Sequence, residues 1–361
     1  QKRVLMKKVI INGIGLSMAT SVTGIPRYCR EIILRLDQLF KENKVDVEYA
    51  YLKGAENAVL ALSEFSHIRP VQIDSENKRL AAMITLPRYI KKQKAIGVNL
   101  SPEPLISKNQ IACIHDLRPV VYSQYDSWHF KLSYRFILSV IKKAAKKIVT
   151  VSDYQKKAIL KLLKIKEQDK VCTIYNGWEH IEQVALDTSI FNRYPSLSFH
   201  NFYYALGSLA PHKNFNWIME VAKRNPNQLF ALAVGKDLRN WKDNIETNEL
   251  SNVIFLGYVT DEENKALMRA CKAYLHPSKY EGFGIPPLEA LACGTPIIIS
   301  NATCLPEIYE DCAHYFDPDD YSVDLNSILQ KPVASPNKIL EKCSWERSAK
   351  QWFDLIMEEA Q

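Results

Sequence analysis

Residues 280–300 read Tyr280-Glu281-Gly282-Phe283-Gly284-Ile285-Pro286-Pro287-Leu288-Glu289-Ala290-Leu291-Ala292-Cys293-Gly294-Thr295-Pro296-Ile297-Ile298-Ile299-Ser300. Two carboxylates, Glu281 and Glu289, stand eight positions apart around a glycine turn. The glycines suit a loop without side chains, in which backbone N–H groups approach an anion closely. Pro286 and Pro287 suit the first positions of a helix, where N–H groups have no intrahelical partner, and Gly294 suits its C-terminal end. The apolar run 296–300 is a short strand, and another, 273–276, precedes the loop. The start of such a helix carries about +0.5 charge and suits a diphosphate. Carboxylates are poor phosphate ligands but good acceptors for the paired hydroxyls of a sugar or ribose. Glu281 lies ahead of the helix and Glu289 is expected in its first turn, so that the two reach different ends of one ligand. The competing reading is a structural glycine loop with a capping glutamate.

The same alternation extends in both directions. Strands are expected at 202–207, 229–235, 253–257 and 313–316, with helices at 214–224, 261–271, 304–310 and after Ser322. Toward the N-terminus, Val9–Ile11, 45–52, 96–100, 111–114 and 147–151 read as strands. A helix from Pro26 has Ile32, Ile33, Leu36 and Leu39 at helical spacing, and further helices lie near 130–145 and from Tyr154. Short apolar strands alternating with helices predict parallel sheets covered on both faces. Residues 172–200 break the rhythm: after Asn176-Gly177 the chain is polar and aperiodic, and a linker is placed within 178–200. The chain therefore reads as an α/β protein of two doubly wound domains, 1–185 and 186–343, with a last helix in 344–361. Open sheets of this kind bind ligands in the crevice outside the carboxyl ends of their strands.

Three loops after strands carry further candidates. Gly207-Ser208-Leu209-Ala210-Pro211-His212-Lys213-Asn214 ends a strand on glycine and sets a lysine near the next helix, where a fixed cation neutralises a leaving diphosphate; a solvated lysine is the alternative. His115-Asp116 ends strand 111–114, where the histidine donates to a hydroxyl or positions a sugar, and Asp116 orients its ring or caps the next turn. The loop Gly13–Gly24 starts as Gly-x-Gly but has Met18 at the third fingerprint position, a poor match to a dinucleotide site. Asp317-Pro318-Asp319-Asp320 contains D-x-D beside a proline and reads as a turn.

Charge is divided unevenly. Residues 1–190 hold 31 Lys and Arg against 18 Asp and Glu, a net +13, whereas residues 191–361 net −6. One half therefore meets something anionic. Without a nucleic-acid recognition motif, peripheral contact with an anionic membrane is preferred to nucleic acid. The eight cysteines form no C-x-x-C pair, which points to buried thiols in a reducing compartment and to no zinc site. No run approaches the ~18 apolar residues of a membrane-spanning helix, and Gln1–Ile11 reads as a charged stretch before a strand. The expected location is the cytoplasm, with contact at the inner face of the cell membrane.

Residues 280–300 resemble the E-x7-E signature of the retaining family 4 glycosyltransferases, and G-S-L-A-P-H-K-N, H-D-L-R-P, T-V-S-D-Y, Y-N-G-W and S-W-E-R-S-A resemble that family's other blocks in the same order. The resemblance implies the GT-B fold, two Rossmann-like domains facing across a cleft, with the last helix crossing back onto the first. It implies transfer of a hexose from a nucleotide diphosphate sugar (GDP-, UDP- or dTDP-linked) to a saccharide acceptor, with retention and without metal or cofactor. A lipid-linked acceptor in capsule or O-antigen assembly fits the basic half. Glu281 would hold donor-sugar hydroxyls and Glu289 the ribose, and Lys213 the diphosphate. Gly282, Phe283 and Gly284 would face the phosphates, with Gly24 nearby and His115 beside the reacting sugar. Tyr258 and Val259 would approach the base. Members often carry Arg where this chain has Ser208 or His212, so that Lys213 works with less help or His212 shares the contact. A nucleotide-sugar epimerase, a sugar phosphorylase and a non-catalytic sugar- or nucleotide-binding protein remain as alternatives.

Overall fold

A computed structural model of the protein describes residues 7–17, 24–54, 60, 62–75, 77–122, 126–234 and 250–361. Residues 18–23, Met18 among them, and residue 235 lie outside the described residues. The chain divides into two compact units, Gln1–Asn176 with Ser344–Gln361, and Gly177–Cys343.

In the first unit, strands β1 (Val9–Asn12), β2 (Val47–Leu52), β3 (Arg69–Ile73), β4 (Ile96–Asn99), β5 (Gln110–Cys113), β6 (Lys147–Thr150) and β7 (Val171–Thr173) form a parallel sheet in the order β3-β2-β1-β4-β5-β6-β7. The order reverses between β1 and β4. Helix α1 (Ile25–Glu42) buries Ile32, Ile33, Leu36 and Phe40 rather than Leu39, because 36 and 40 continue the stripe begun at 32. Helices α2 (Trp128–Ala144) and α3 (Asp153–Leu162) follow β5 and β6, each capped by a serine hydroxyl, Ser127 and Ser152.

β3 is absent from the sequence reading. It is a mostly exposed edge strand containing Pro70, which an edge tolerates because one side of its backbone has no ladder to complete. Its approach is fixed from afar: Asp37 on α1 accepts the N–H groups of Ser66, His67 and Ile68 at 2.7, 2.9 and 2.6 Å. The C-terminal helix Trp345–Glu359 packs on α1, burying Trp345, Trp352 and Ile356. Trp352 Nε1 donates to Tyr28 Oη at 2.7 Å, and Phe353 meets Phe40 with ring centroids 5.6 Å apart.

The second unit carries β8 (Phe202–Gly207), β9 (Leu229–Val234), β10 (Val253–Phe255), β11 (Ala273–His276), β12 (Ile297–Ser300) and β13 (His314–Phe316), parallel, in the order β10-β9-β8-β11-β12-β13. Here the order reverses between β8 and β11. Its helices include α4 (Phe215–Arg224), α5 (Asp261–Ala270), α6 (Ile285–Ala292) and α7 (Leu305–Tyr309). Trp217 of α4 stacks on Phe316 of β13, centroids 3.9 Å apart, within the core.

The sequence reading ends the first domain at residue 185, nine residues beyond the division seen here. Residues 177–185 pack with the second unit through long-range partners: His180 with Glu289, Trp178 Nε1 with Leu340 O, and Lys265 Nζ with Val184 O.

Candidate functional site

The switch point of the second sheet gathers charge. Lys213 closes the turn Pro211–Lys213 that follows β8, and that turn is pinned by two neighbouring loops: Lys279 N–H donates to His212 O at 2.7 Å, and Asn214 Nδ2 donates to Pro318 O at 2.9 Å. Asn214 itself sits at φ 56°, a left-handed conformation that asparagine accepts readily. From the loop after β11 comes Glu281, nearly buried. Lys213 Nζ donates to Glu281 Oε1 at 2.7 Å, and His276 Nε2, at the end of β11, donates to the same oxygen at 2.8 Å. Burial alone raises a carboxyl's pKa; here the Lys213 ammonium foremost, with the His276 hydrogen bond, overcomes it and holds Glu281 well below the usual carboxylate range. Burial pushes His276 down against the pull of Glu281, so that the ring is a neutral donor near pH 7. Glu281 is thus an anion at neutral pH, able to accept hydrogen bonds but not to supply a proton.

The glycine elbow is fixed from its carbonyl side. Tyr309 of α7 donates to Gly284 O, and the Cys304 thiol lies 3.4 Å from Glu281 O and 3.6 Å from Phe283 O. Because C=O and N–H point oppositely across a trans peptide, this turns the N–H groups of Gly284 and Ile285 away from α7. Gly284 lies at φ 90°, and a Cβ there would come within 2.9 Å of Leu305. Pro286 and Pro287 are the second and third residues of α6, so that two amides a helix start ordinarily offers are missing. The helix end therefore has fewer donors than its position in the chain suggests, and Lys213 supplies the nearby positive charge.

Glu289 is the fifth residue of α6, not in its first turn as expected, and it is buried with His180 Nε2 donating to its Oε1 at 2.7 Å. Gly294 at φ 81° follows the helix end, as expected. Of the other expected contacts, Ser208 is exposed, His212 and Gly282 are part-buried, and Phe283 is buried. After β10, Gly257 turns at φ 71°; Tyr258 is 70% exposed, whereas the Val259 side chain is buried. Any Val259 contact with a ligand is thereby confined to its backbone. Asp317 Oδ1 accepts Asp319 N–H at 2.9 Å, the turn read from sequence.

Three residues of this site escaped the sequence reading: His276, His180 and Thr303. Thr303 Oγ1 accepts Glu281 N–H at 3.2 Å from a backbone at φ 53°, a conformation that a β-branched residue adopts only under strain.

The first unit places His115 after β5. Its Nε2 lies 2.8 Å from Leu100 O, which only accepts, so Nε2 carries the proton; burial pushes the pKa down to about 4 and keeps the ring neutral. Toward a hydroxyl its Nδ1 therefore accepts, where the sequence suggested donation. Asp116 Oδ1 accepts the Arg118 N–H at 2.9 Å, the capping alternative. At the β1–β4 switch point Asn12 Nδ2 donates to Asn99 Oδ1 at 2.9 Å. Gly13 and Gly15 are explained by packing: a Cβ would come within 2.1 Å of Tyr49 and 2.5 Å of Ser101. Gly24, at φ 59°, precedes α1 with open space where a Cβ would be.

Residues 189–342 match the family described as Glycosyl transferases group 1. The chain is similar to the O-antigen chain mannosyltransferase RfbU of Salmonella typhimurium, 29% identical over 287 residues that span 77% of this chain and 76% of that one. O-antigen chain mannosyltransferase B of Escherichia coli is likewise 29% identical over 197 residues, 52% of this chain and 51% of its own length. Among solved structures, sucrose-phosphate synthase from Thermosynechococcus elongatus superposes with a TM-score of 0.71 over 98% of both chains at 16% identity, a likeness of fold alone.

Proposed function

We propose that the chain is a group 1 glycosyl transferase of GT-B architecture and that it transfers a mannosyl residue from a nucleotide diphosphate donor to a saccharide hydroxyl in cell-surface polysaccharide assembly. The observation that carries this reading is the Lys213–Glu281 pair at the β8–β11 switch point, a cation and an anion 2.7 Å apart beside a glycine elbow. A diphosphate sugar needs both charges: a cation for the phosphates and an acceptor for sugar hydroxyls.

In this reading Lys213 neutralises the departing diphosphate, helped by the Gly284 and Ile285 amides, and Glu281 orients the sugar through its hydroxyls. Glu289, aligned by His180, takes the ribose, and Tyr258 borders the base. His115 accepts from a hydroxyl of the transferred sugar. Glu281 is already held by Lys213 and His276, which suits binding better than attack. The reaction is therefore proposed as same-face substitution with retention, the acceptor's proton passing to the departing phosphate oxygen, without metal. The relatives' names favour mannose, which makes GDP-mannose the first donor to test ahead of UDP- and dTDP-sugars. The net +13 of residues 1–190 favours a lipid-linked acceptor at the cytoplasmic face of a membrane. Among the described residues no helix is long and apolar enough to cross one.

The test is nucleoside diphosphate release from a panel of nucleotide sugars, with and without saccharide acceptors and with chelator present, followed by NMR of the new glycosidic bond. Acceptor-dependent release and an α-linked product from an α-linked donor are expected. Interconversion of two nucleotide sugars without acceptor would overturn the proposal.

A further inference from the structure

We propose that the outward face of α2 is a docking surface for an anionic phospholipid bilayer. Of the thirteen strongly exposed large apolar side chains among the described residues, five fall between 121 and 136: Val121, Trp128, Phe130, Leu132 and Phe136. Three of these, Trp128, Leu132 and Phe136, are spaced four apart on α2 and are 62%, 53% and 48% exposed. Residues so spaced share one side of a helix. The opposite side is the one that holds the fold, through buried Tyr134, Leu138 and Ile141. The seventeen-residue helix therefore has two apolar stripes, and the core needs only one of them.

The charges on α2 decide the occupant. The helix contains no aspartate or glutamate, and Lys131, Arg135, Lys142 and Lys143 are its charged residues. An apolar stripe headed by tryptophan and flanked by lysine and arginine, about 12 Å long on a helix of about 25 Å, suits a helix lying flat at a lipid–water boundary. Anionic headgroups complement the basic residues, and acyl chains take up the Trp, Leu and Phe side chains. A protein partner or a second copy would require acidic groups opposite four like charges.

The surface is also tied to the His115 loop. Tyr134 Oη donates to Asp116 O at 2.7 Å, next to His115, and Arg118 pairs with Asp126 at 2.8 Å just ahead of the helix. Docking of α2 would thus hold the His115 loop at a fixed height above the bilayer. That consequence rests on the proposed lipid-linked acceptor; the bilayer contact itself does not.

The experiment is co-sedimentation of the full chain with vesicles of phosphatidylglycerol and phosphatidylethanolamine, or of phosphatidylcholine alone, at low and high salt. Binding to the anionic vesicles is expected, and Trp128→Ser/Leu132→Ser/Phe136→Ser is expected to weaken it at least about tenfold without shifting the melting temperature. Arg135→Gln and Lys143→Gln should each cost about fivefold at low salt. The proposal is overturned by equal sedimentation with both vesicle types, by none with either, or by full retention of binding in the triple variant. A parent dimer that the triple variant converts to monomer, with no vesicle binding, would identify a self-association face and also overturn it. Transfer to a water-soluble acceptor should be unchanged in the triple variant. Vesicle binding without any donor turnover by the parent would sink the functional reading and leave the docking surface standing.

Discussion

Both sheets reverse their strand order once, and what gathers at the two switch points differs in kind. Between β1 and β4 the linking hydrogen bonds join neutral groups: Ile14 N–H donates to Asn12, Asn12 to Asn99, and Asn99 to the Glu103 carbonyl, with His115 uncharged nearby and the Glu103 carboxylate paired outward with a 42% exposed Lys78 at 2.9 Å. Between β8 and β11 the corresponding position holds a buried carboxylate with an ammonium and an imidazole on one of its oxygens. Similar topology therefore offers buried neutral hydrogen bonds with one outlying ion pair in one unit, and a buried carboxylate held by a cation and an imidazole in the other. A diphosphate sugar requires the second kind, and in the proposed reading the first contributes His115, which accepts from a hydroxyl of the transferred sugar.

The sharpest way to break this comparison is to remove the charge. Glu281→Ala is expected to lower transfer by about 10³-fold or more, with the fold retained as judged by circular dichroism. Near-normal rates would remove Glu281 from the site. In the other unit the corresponding prediction is electrostatic and concerns stability. The folded pKa of His115, about 4, lies below the unfolded value of ~6.5, so burial of the neutral ring contributes stability that is present above the unfolded value and is lost as pH falls toward 4. The loss should approach about 3 kcal/mol, read as the change in urea midpoint between neutral pH and pH 4 that His115→Gln abolishes. A His115 C–H resonance titrating near 6.5 would show that the ring is not kept neutral. Lys213→Met, next in size, should reduce kcat/KM about 10²-fold, because diphosphate release loses its fixed cation. An equal loss in the chain's affinity for the free, uncharged sugar would instead assign Lys213 to the hydroxyls.

How legible each region was follows from how local its determinants are. The charged switch point could be read because Glu281, the glycines, the prolines and Glu289 are contiguous, and because Gly207 and Lys213 occupy the same place after their own strand. Its supporting residues could not. His276 ends an apolar strand and reads as part of it. His180 lies in an aperiodic stretch and meets Glu289 only when folding closes a sequence separation of 109. The domain division was misplaced for the same reason: 177–185 lacks periodicity, and its long-range partners, not its pattern, assign it to the second unit. β3 depends on Asp37 and on pairing with β2, neither visible in Arg69-Pro70-Val71-Gln72-Ile73. The neutral switch point gave the poorest guidance, since Gly13 and Gly15 imitate a phosphate fingerprint while serving close packing against Tyr49 and Ser101.

The smallest expected effect tests whether the charged centre is held by strain. Thr303 keeps φ 53° and places its hydroxyl on the Glu281 N–H. Thr303→Gly removes a left-handed β-branched residue, which is worth about 1–2 kcal/mol of relief. It also forfeits a hydrogen bond of about 1 kcal/mol and adds about 0.5–1 kcal/mol of unfolded-state entropy. These contributions nearly cancel, so the melting temperature should hardly move. Activity should nevertheless fall several-fold, because the backbone beneath Glu281 loses its anchor. Thr303→Asn tolerates the same φ and restores an accepting oxygen, so it should recover the rate and raise the melting temperature slightly. Equal activity in all three proteins would mean that the elbow is fixed by Tyr309 and Cys304 alone, and that the strain at Thr303 serves packing instead of the site.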